Sequence, residues 1–185
     1  MSEQFAPVNE GFKKRVGEFD ARVDARVERI RGPRLDPVFY GASSAADHGL
    51  LWLAVGAGRA ARAGDPAIAL RMAVALGVES ALTNGPIKAC FRRVRPNDER
   101  PETPLPYGMH RPITSSFPSG HAVSGFTAAM LLADSPFAPA WFALAGVVAA
   151  SRVYVRLHHA SDVIAGAAIG LALGAIARRV IHLKG

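Results

Sequence analysis

The chain has 185 residues, room for one domain with a substantial core and too few for two. Lysine and arginine outnumber aspartate and glutamate by 22 to 15, and the net charge of +7 suits anionic headgroups or a phosphorylated substrate. With few aromatics and no nucleic-acid motif, nucleic acid is not an expected partner; the single Cys90 excludes an internal disulfide and any Cys-rich metal site.

Residues 8–31 place Phe12, Val16, Phe19, Val23, Val27 and Ile30 three and four apart, with charges on the other side. That is the pattern of an amphipathic helix, for a membrane surface, a partner or the core, and Gly32-Pro33 ends it. The first residues, MSEQFAPVNEGFKKR, lack the apolar h-region of a signal peptide. The expected organisation is an N-terminal amphipathic helix within 1–35 and a helical domain over 36–185.

Five apolar segments follow, at 49–63, 66–87, 119–133, 135–155 and 161–177. No strand signal or internal repeat accompanies them. Each falls short of the ~20 clean apolar residues of a typical spanning helix, and Arg59, Arg62, Arg71 and Glu79 interrupt the first two. Buried helices of a soluble bundle and short membrane spans both fit. The stretch GAAIGLALGAIA (166–177) repeats glycine every four residues, the close-packing signature of membrane helices. All five segments share this Ala/Gly-rich character, so the expected fold is all-α, a membrane-embedded bundle of about five apolar helices. The Pro-rich stretch at 95–112 reads as one long irregular loop.

Three clusters carry chemistry. In KACFRRVRP (88–96), a helical reading stacks Lys88, Arg92 and Arg95 on one face, closed by Pro96; three cations together imply an anion, although a solvated basic face has the same pattern. In SSFPSGHAVSG (115–125), Pro118 turns the chain and Ser119 is a good helix cap. The helix start after it offers free N–H groups to an anion, Gly120 leaves room, and His121 stands ready to exchange a proton. In SRVYVRLHHASD (151–162), Arg152 ends an uncharged run, two histidines follow, and Asp162 lies near the start of the last helix, with Ser161 as its expected cap. An aspartate beside a histidine normally orients the ring. A metal site from His158, His159 and Asp162 lacks a convincing fourth ligand. Cations, a helix N-terminus and two histidines together suit phosphoryl transfer.

The three clusters, in order and in register, resemble the motifs of the type 2 phosphatidic acid phosphatase superfamily. Lys88, six residues, then Arg95-Pro96 is similar to the first motif, Pro118-Ser119-Gly120-His121 to the second, and Ser151-Arg152, five residues, His158, three residues, Asp162 to the third. The resemblance implies an all-helical bundle and hydrolysis of a phosphate or diphosphate ester through a phosphohistidine, with no metal or other cofactor. By position, His158 would be the nucleophile, Asp162 its orienting partner and His121 the general acid. Lys88, Arg95, Ser119, Gly120 and Arg152 would hold the phosphoryl oxygens, and Arg92, Arg93 and Arg156 would be extra cations toward a diphosphate or headgroup. The five-residue spacing from Arg152 selects His158 over His159.

The resulting expectation is a bacterial integral-membrane lipid phosphatase acting on polyprenyl or phospholipid phosphates among membrane lipids. A vanadate-dependent haloperoxidase and a non-catalytic lipid-phosphate binder are the alternatives. Oligomeric state and the side of the membrane faced by the site stay open.

Overall fold

The structure, a computed structural model, describes residues 10–98 and 114–180, and every regular element among them is helical. The first helix, α1 (Glu10–Ile30), ends at Gly32 as expected, but its pattern is only partly used. Val16, Phe19, Val23 and Val27 are half-buried, Phe12 and Ile30 stay exposed, and the one buried side chain is that of Asp20. A short helix that the sequence reading did not separate, α2 (Asp36–Ala45), follows with Pro37 in its first turn. Tyr154 ties this corner to the bundle. Its hydroxyl donates to Asp36 Oδ1 (2.6 Å) and accepts from Gly32 N–H (3.1 Å), and its ring stacks on Phe39 at 4.3 Å.

Five helices then follow the five apolar segments: α3 (Leu50–Ala63), α4 (Pro66–Leu82), α5 (Gly120–Leu131), α6 (Ala138–Tyr154) and α7 (Ala160–Val180). Asp65 caps α4 by accepting from Ala67 N–H at 2.9 Å, with Pro66 at the first helical position. The helix then widens into a π-turn at Thr83–Ile87 that contains Pro86, whose missing N–H cannot sustain regular α-helical bonding. By length and composition, two rather than five of the helical segments suit a membrane crossing, Pro66–Ile87 and Ala160–Val180. Only a third of each most apolar window is buried, and Leu70, Val74 and Val78 form an exposed stripe on α4.

Helix α5 lies at the centre, against α4, α6 and α7. The glycine repeat explains how α7 approaches it. A Cβ on Gly166 would stand 2.7 Å from the Ser119 carbonyl oxygen, one on Gly170 would collide with the Val123 carbonyl oxygen, and one on Gly174 would stand 2.6 Å from Met130 Cβ. Backbones so close permit a direct bond, from Thr127 Oγ1 to the Gly170 carbonyl (3.1 Å). Trp52, Met72, Leu76, Leu131, Leu132 and Val148 fill the core between α3, α4, α5 and α6. The consequence for function is one of register: α5 begins beside the start of α7, where Ser119 N–H donates to the Asp162 carbonyl at 3.1 Å.

Candidate active site

The first cluster is not a helix. Lys88 is in the last turn of the α4 segment, and residues 91–95 form no regular element, so Arg92 and Arg95 share no helix face with Lys88. This run instead bonds to the segment before α5: Ser116 N–H donates to the Arg93 carbonyl (3.0 Å), Ser116 Oγ to the Val94 carbonyl (3.2 Å), and Arg93 N–H to Ser115 Oγ (3.2 Å). Of the predicted long loop, 99–113 lies outside the described residues.

Leaving the helix lets Arg95 turn inward, where it is 2% exposed. Its guanidinium donates to the carbonyls of Thr114 (3.1 and 3.2 Å), Ser115 (3.1 Å) and Leu157 (2.8 Å), and Nη1 approaches His158 Nε2 at 3.2 Å. These contacts fasten all three clusters together. They also fix the His158 tautomer. A guanidinium only donates, so Nε2 carries the lone pair; the Ser116 carbonyl only accepts, so Nδ1, 2.6 Å away, carries the proton. Burial above all, with Arg95 and Arg152 adding to it against the pull of Asp162, pushes the His158 imidazole far below its usual range, and the ring is neutral.

Asp162 stands 3.8 Å from His158 Nδ1, farther than the Ser116 carbonyl. Its carboxylate accepts from His159 N–H (2.9 Å) and from Arg93 Nη1 (2.6 Å). Asp162 is thus the third residue of α7 reaching back over the helix start, the role expected of Ser161. Ser161 is occupied elsewhere. Its N–H and hydroxyl both donate to Asp20 of α1, at 2.8 and 2.7 Å, and Arg93 Nη2 completes the cluster on Asp20 at 2.5 Å. Arg93 therefore supports the site from behind rather than extending it, and Arg156 is paired with Glu28 of α1. Arg92 is exposed. His159 also turns away, with Nε2 3.3 Å from the Val94 carbonyl.

Ser119 holds the cap position of α5, but its hydroxyl does not cap; it is buried with no partner among the described residues. His121, in the first turn, places Nε2 2.9 Å from Asp47 Oδ1 and 3.3 Å from the Ser43 carbonyl. Both partners accept, so Nε2 carries a proton and Nδ1 is the nitrogen left for exchange. Asp47, in the turn Asp47–Gly49 before α3, was invisible to the sequence reading. Partial burial pushes its carboxyl up, but the His121 bond and the Arg152 charge outweigh this and hold it below the usual range. Arg152 Nη1 lies 3.8 Å from Asp47 and donates to Ser43 Oγ, while its Nε is buried without an acceptor among the described residues.

Lys88, Arg95, Gly120, His121, Arg152 and His158 all line one cavity of ≈ 800 Å³. Lys88 Nζ lies 3.9 Å from where a Cβ on Gly120 would stand, beside the open N–H groups of α5, and has no hydrogen-bond partner among the described residues. Burial first, and then repulsion from Arg95 and Arg152, lowers its ammonium to about 8. The lining thus brings Lys88, Arg95 and Arg152 to the N-terminus of α5; Ser119, fully buried, is not among the lining residues.

Fold and site together define an all-helical protein with a cation-lined cavity that holds two histidines, His158 facing Arg95 and His121 facing Asp47. A sequence model of the PAP2 superfamily matches residues 68–185, and the chain belongs to that superfamily. Over 90 residues it is 36% identical to the decaprenylphosphoryl-5-phosphoribose phosphatase of Mycobacterium tuberculosis strain H37Rv, covering 49% of each chain. The enzyme of that name from Mycolicibacterium smegmatis is 39% identical over 80 residues, covering 43% of this chain and 42% of its own. The chain thus spans about half the length of the curated relatives it matches. Among solved structures, the transmembrane PAP2-type phosphatidylglycerolphosphate phosphatase from Bacillus subtilis superposes with a TM-score of 0.69 at 28% identity, covering 89% of this chain and 85% of that one. With two helices of spanning length, the chain is accordingly read as a membrane protein, in a family with bacterial members.

Proposed function

We propose that this protein hydrolyses a phosphate or diphosphate ester of a membrane lipid through a phosphohistidine at His158. The observation that carries the reading is the preparation of His158: a buried ring, Nδ1–H fixed on the Ser116 carbonyl, and the Nε2 lone pair at the wall of a cavity lined by Lys88 and Arg152. The names of the relatives support a lipid phosphate as substrate, since one acts on a decaprenylphosphoryl sugar phosphate and another on phosphatidylglycerolphosphate.

In the first step His158 Nε2 attacks phosphorus in line. The N–P bond forms as the P–O bond to the lipid breaks, and the leaving oxygen takes the Nδ1 proton of His121, which enters the step as an imidazolium held on the Asp47 carboxylate. The Arg95 N–H now facing Nε2 passes to a phosphoryl oxygen. Lys88, Arg152 and the α5 N-terminus meet the charge on the others. The ring becomes cationic when phosphorylated, and the Ser116 carbonyl and the Asp162 carboxylate stabilise it. In the second step His121, now neutral, takes a proton from water as the water oxygen attacks phosphorus. The N–P bond breaks, inorganic phosphate leaves, and both histidines return to their starting forms.

Phosphate release from lipid phosphates in detergent tests this. His158→Ala and His121→Ala should each lower turnover by about 10³-fold while unfolding at the parental temperature. Near-normal turnover by both variants would contradict the reading.

A further inference from the structure

Helix α1 carries three stripes of different chemistry, and the bundle takes up chiefly one of them. On that side Asp20, Asp24 and Glu28, four residues apart, face the segment that leads into α7. Asp20 bonds Ser161 and Arg93, Asp24 Oδ2 stands 4.0 Å from His159 Nδ1, and Glu28 pairs with Arg156. The second stripe is apolar and runs through Phe12, Phe19, Val23 and Ile30. Val16 and Val27, at its bundle edge, are half-buried, whereas Phe12 and Ile30 are 55% and 56% exposed.

The third stripe is basic. Arg15, Arg22, Arg26 and Arg29 recur at intervals of seven, four and three, all exposed, with Lys14 beside them. Glu18 is the one acid on this side, and Arg22 donates to its carbonyl rather than to its carboxylate. The ion pairs of α1 use Glu10, Lys13, Asp20, Asp24 and Glu28, and none among the described residues engages these five cations. Cations massed on one line repel one another, so the stripe favours an anionic surface.

The height of α1 in the membrane decides which surface that is. Helix α7 has 21 residues, which at 1.5 Å each is roughly 30 Å, the thickness of the hydrocarbon layer. Its second residue, Ser161, therefore stands at one edge of that layer, and Ile164, a turn further in, is exposed. Asp20, Asp24 and Glu28 fasten α1 to residues 156–161, at the same edge, among the lipid headgroups. With its acids turned to the bundle, α1 can sink the apolar stripe into the acyl boundary while the arginines reach headgroup phosphates.

We propose that α1 is a lipid-docking helix, which binds an anionic phospholipid surface on the side of the membrane that holds the active site. Phe12, Phe19 and Ile30 enter the lipid, and the line of Arg15, Arg22, Arg26 and Arg29 selects anionic headgroups. The docking is independent of what the site hydrolyses.

The full chain with Cys90→Ser and one new cysteine, Phe12→Cys, Ile30→Cys or Ala25→Cys, is labelled with a fluorophore and placed one copy per nanodisc. In phosphatidylglycerol discs the labels at 12 and 30 should be shielded from aqueous acrylamide about threefold better than in phosphatidylcholine discs. Bromine on the acyl chains should quench them there. The label at 25, opposite the apolar stripe, should stay open to acrylamide in both lipids. Arg15→Gln, Arg22→Gln, Arg26→Gln and Arg29→Gln combined should abolish the difference between the lipids and leave the melting temperature unchanged. Equal shielding in both lipids, or a difference that survives the four-arginine variant, would overturn the proposal. So would shielding in detergent that grows with protein concentration, the mark of a second copy on this face.

Discussion

Lys88 is the residue through which pH should act on this site. With its ammonium lowered to about 8, it is charged below that pH and loses its proton as pH rises through it, so anion binding weakens on the alkaline side. In the free enzyme kcat/KM should therefore fall above about pH 8, and Lys88→Arg, which keeps its charge, should move that limb upward. An unmoved limb would assign it to another group. Asp47 makes a second prediction. If it prepares His121 as the acid, Asp47→Asn should lower turnover of a lipid phosphate by about 10²-fold but barely affect p-nitrophenyl phosphate, whose leaving group departs without a proton. Equal losses on both substrates would contradict that role. Asp47 also shows where sequence reading stops at this scale. Its partner His121 is 74 positions away, and only folding α2 and α3 against the start of α5 brings them within 2.9 Å.

Among the elements, α1 carries more than its surface pattern conveys. Asp20 lies at the edge of the apolar face, beside Val16 and Val27, where it is buried and holds both Ser161 and Arg93, the two groups that frame Asp162. Asp20→Asn should lower kcat about tenfold with little change in KM, the size of supporting-residue effects around metal ligands. An unchanged kcat would make α1 a mere attachment. Packing of α7 on α5 is equally specific: at Gly170 even a methyl group meets the Val123 backbone carbonyl, so Gly170→Ala should cost about 1–3 kcal/mol and lower the melting temperature. The glycine repeat announced that contact in the sequence, as the apolar runs announced α3 to α7, because helix and packing periods are local signals. The path of 88–96 was not legible in the same way. Its cations suit a helix, but Arg95 is claimed by carbonyls 19, 20 and 62 positions away, and tertiary contacts override the local pattern.

Taken whole, the molecule joins an apolar exterior to a charged cavity, which is what an amphiphilic substrate needs. The exposed stripe of Leu70, Val74 and Val78, with Ile164 and Ile176 on α7, would be costly in water and is at home against lipid chains. Of the residues the motif spacings single out, Lys88, Arg95, Gly120, His121, Arg152 and His158 line the cavity, and Ser119 and Asp162 do not. What they could not convey was the supporting frame of Ser116, Asp47, Asp20 and Arg93, whose roles exist only through contacts between distant segments. The central claim is that phosphorus passes through His158. Rapid acid-free quenching during turnover of a lipid substrate labelled with ³²P in its scissile phosphate tests this most directly. The account predicts an acid-labile, alkali-stable label on the peptide containing His158, absent in His158→Ala; full turnover with no such label, or a label retained in that variant, would contradict it.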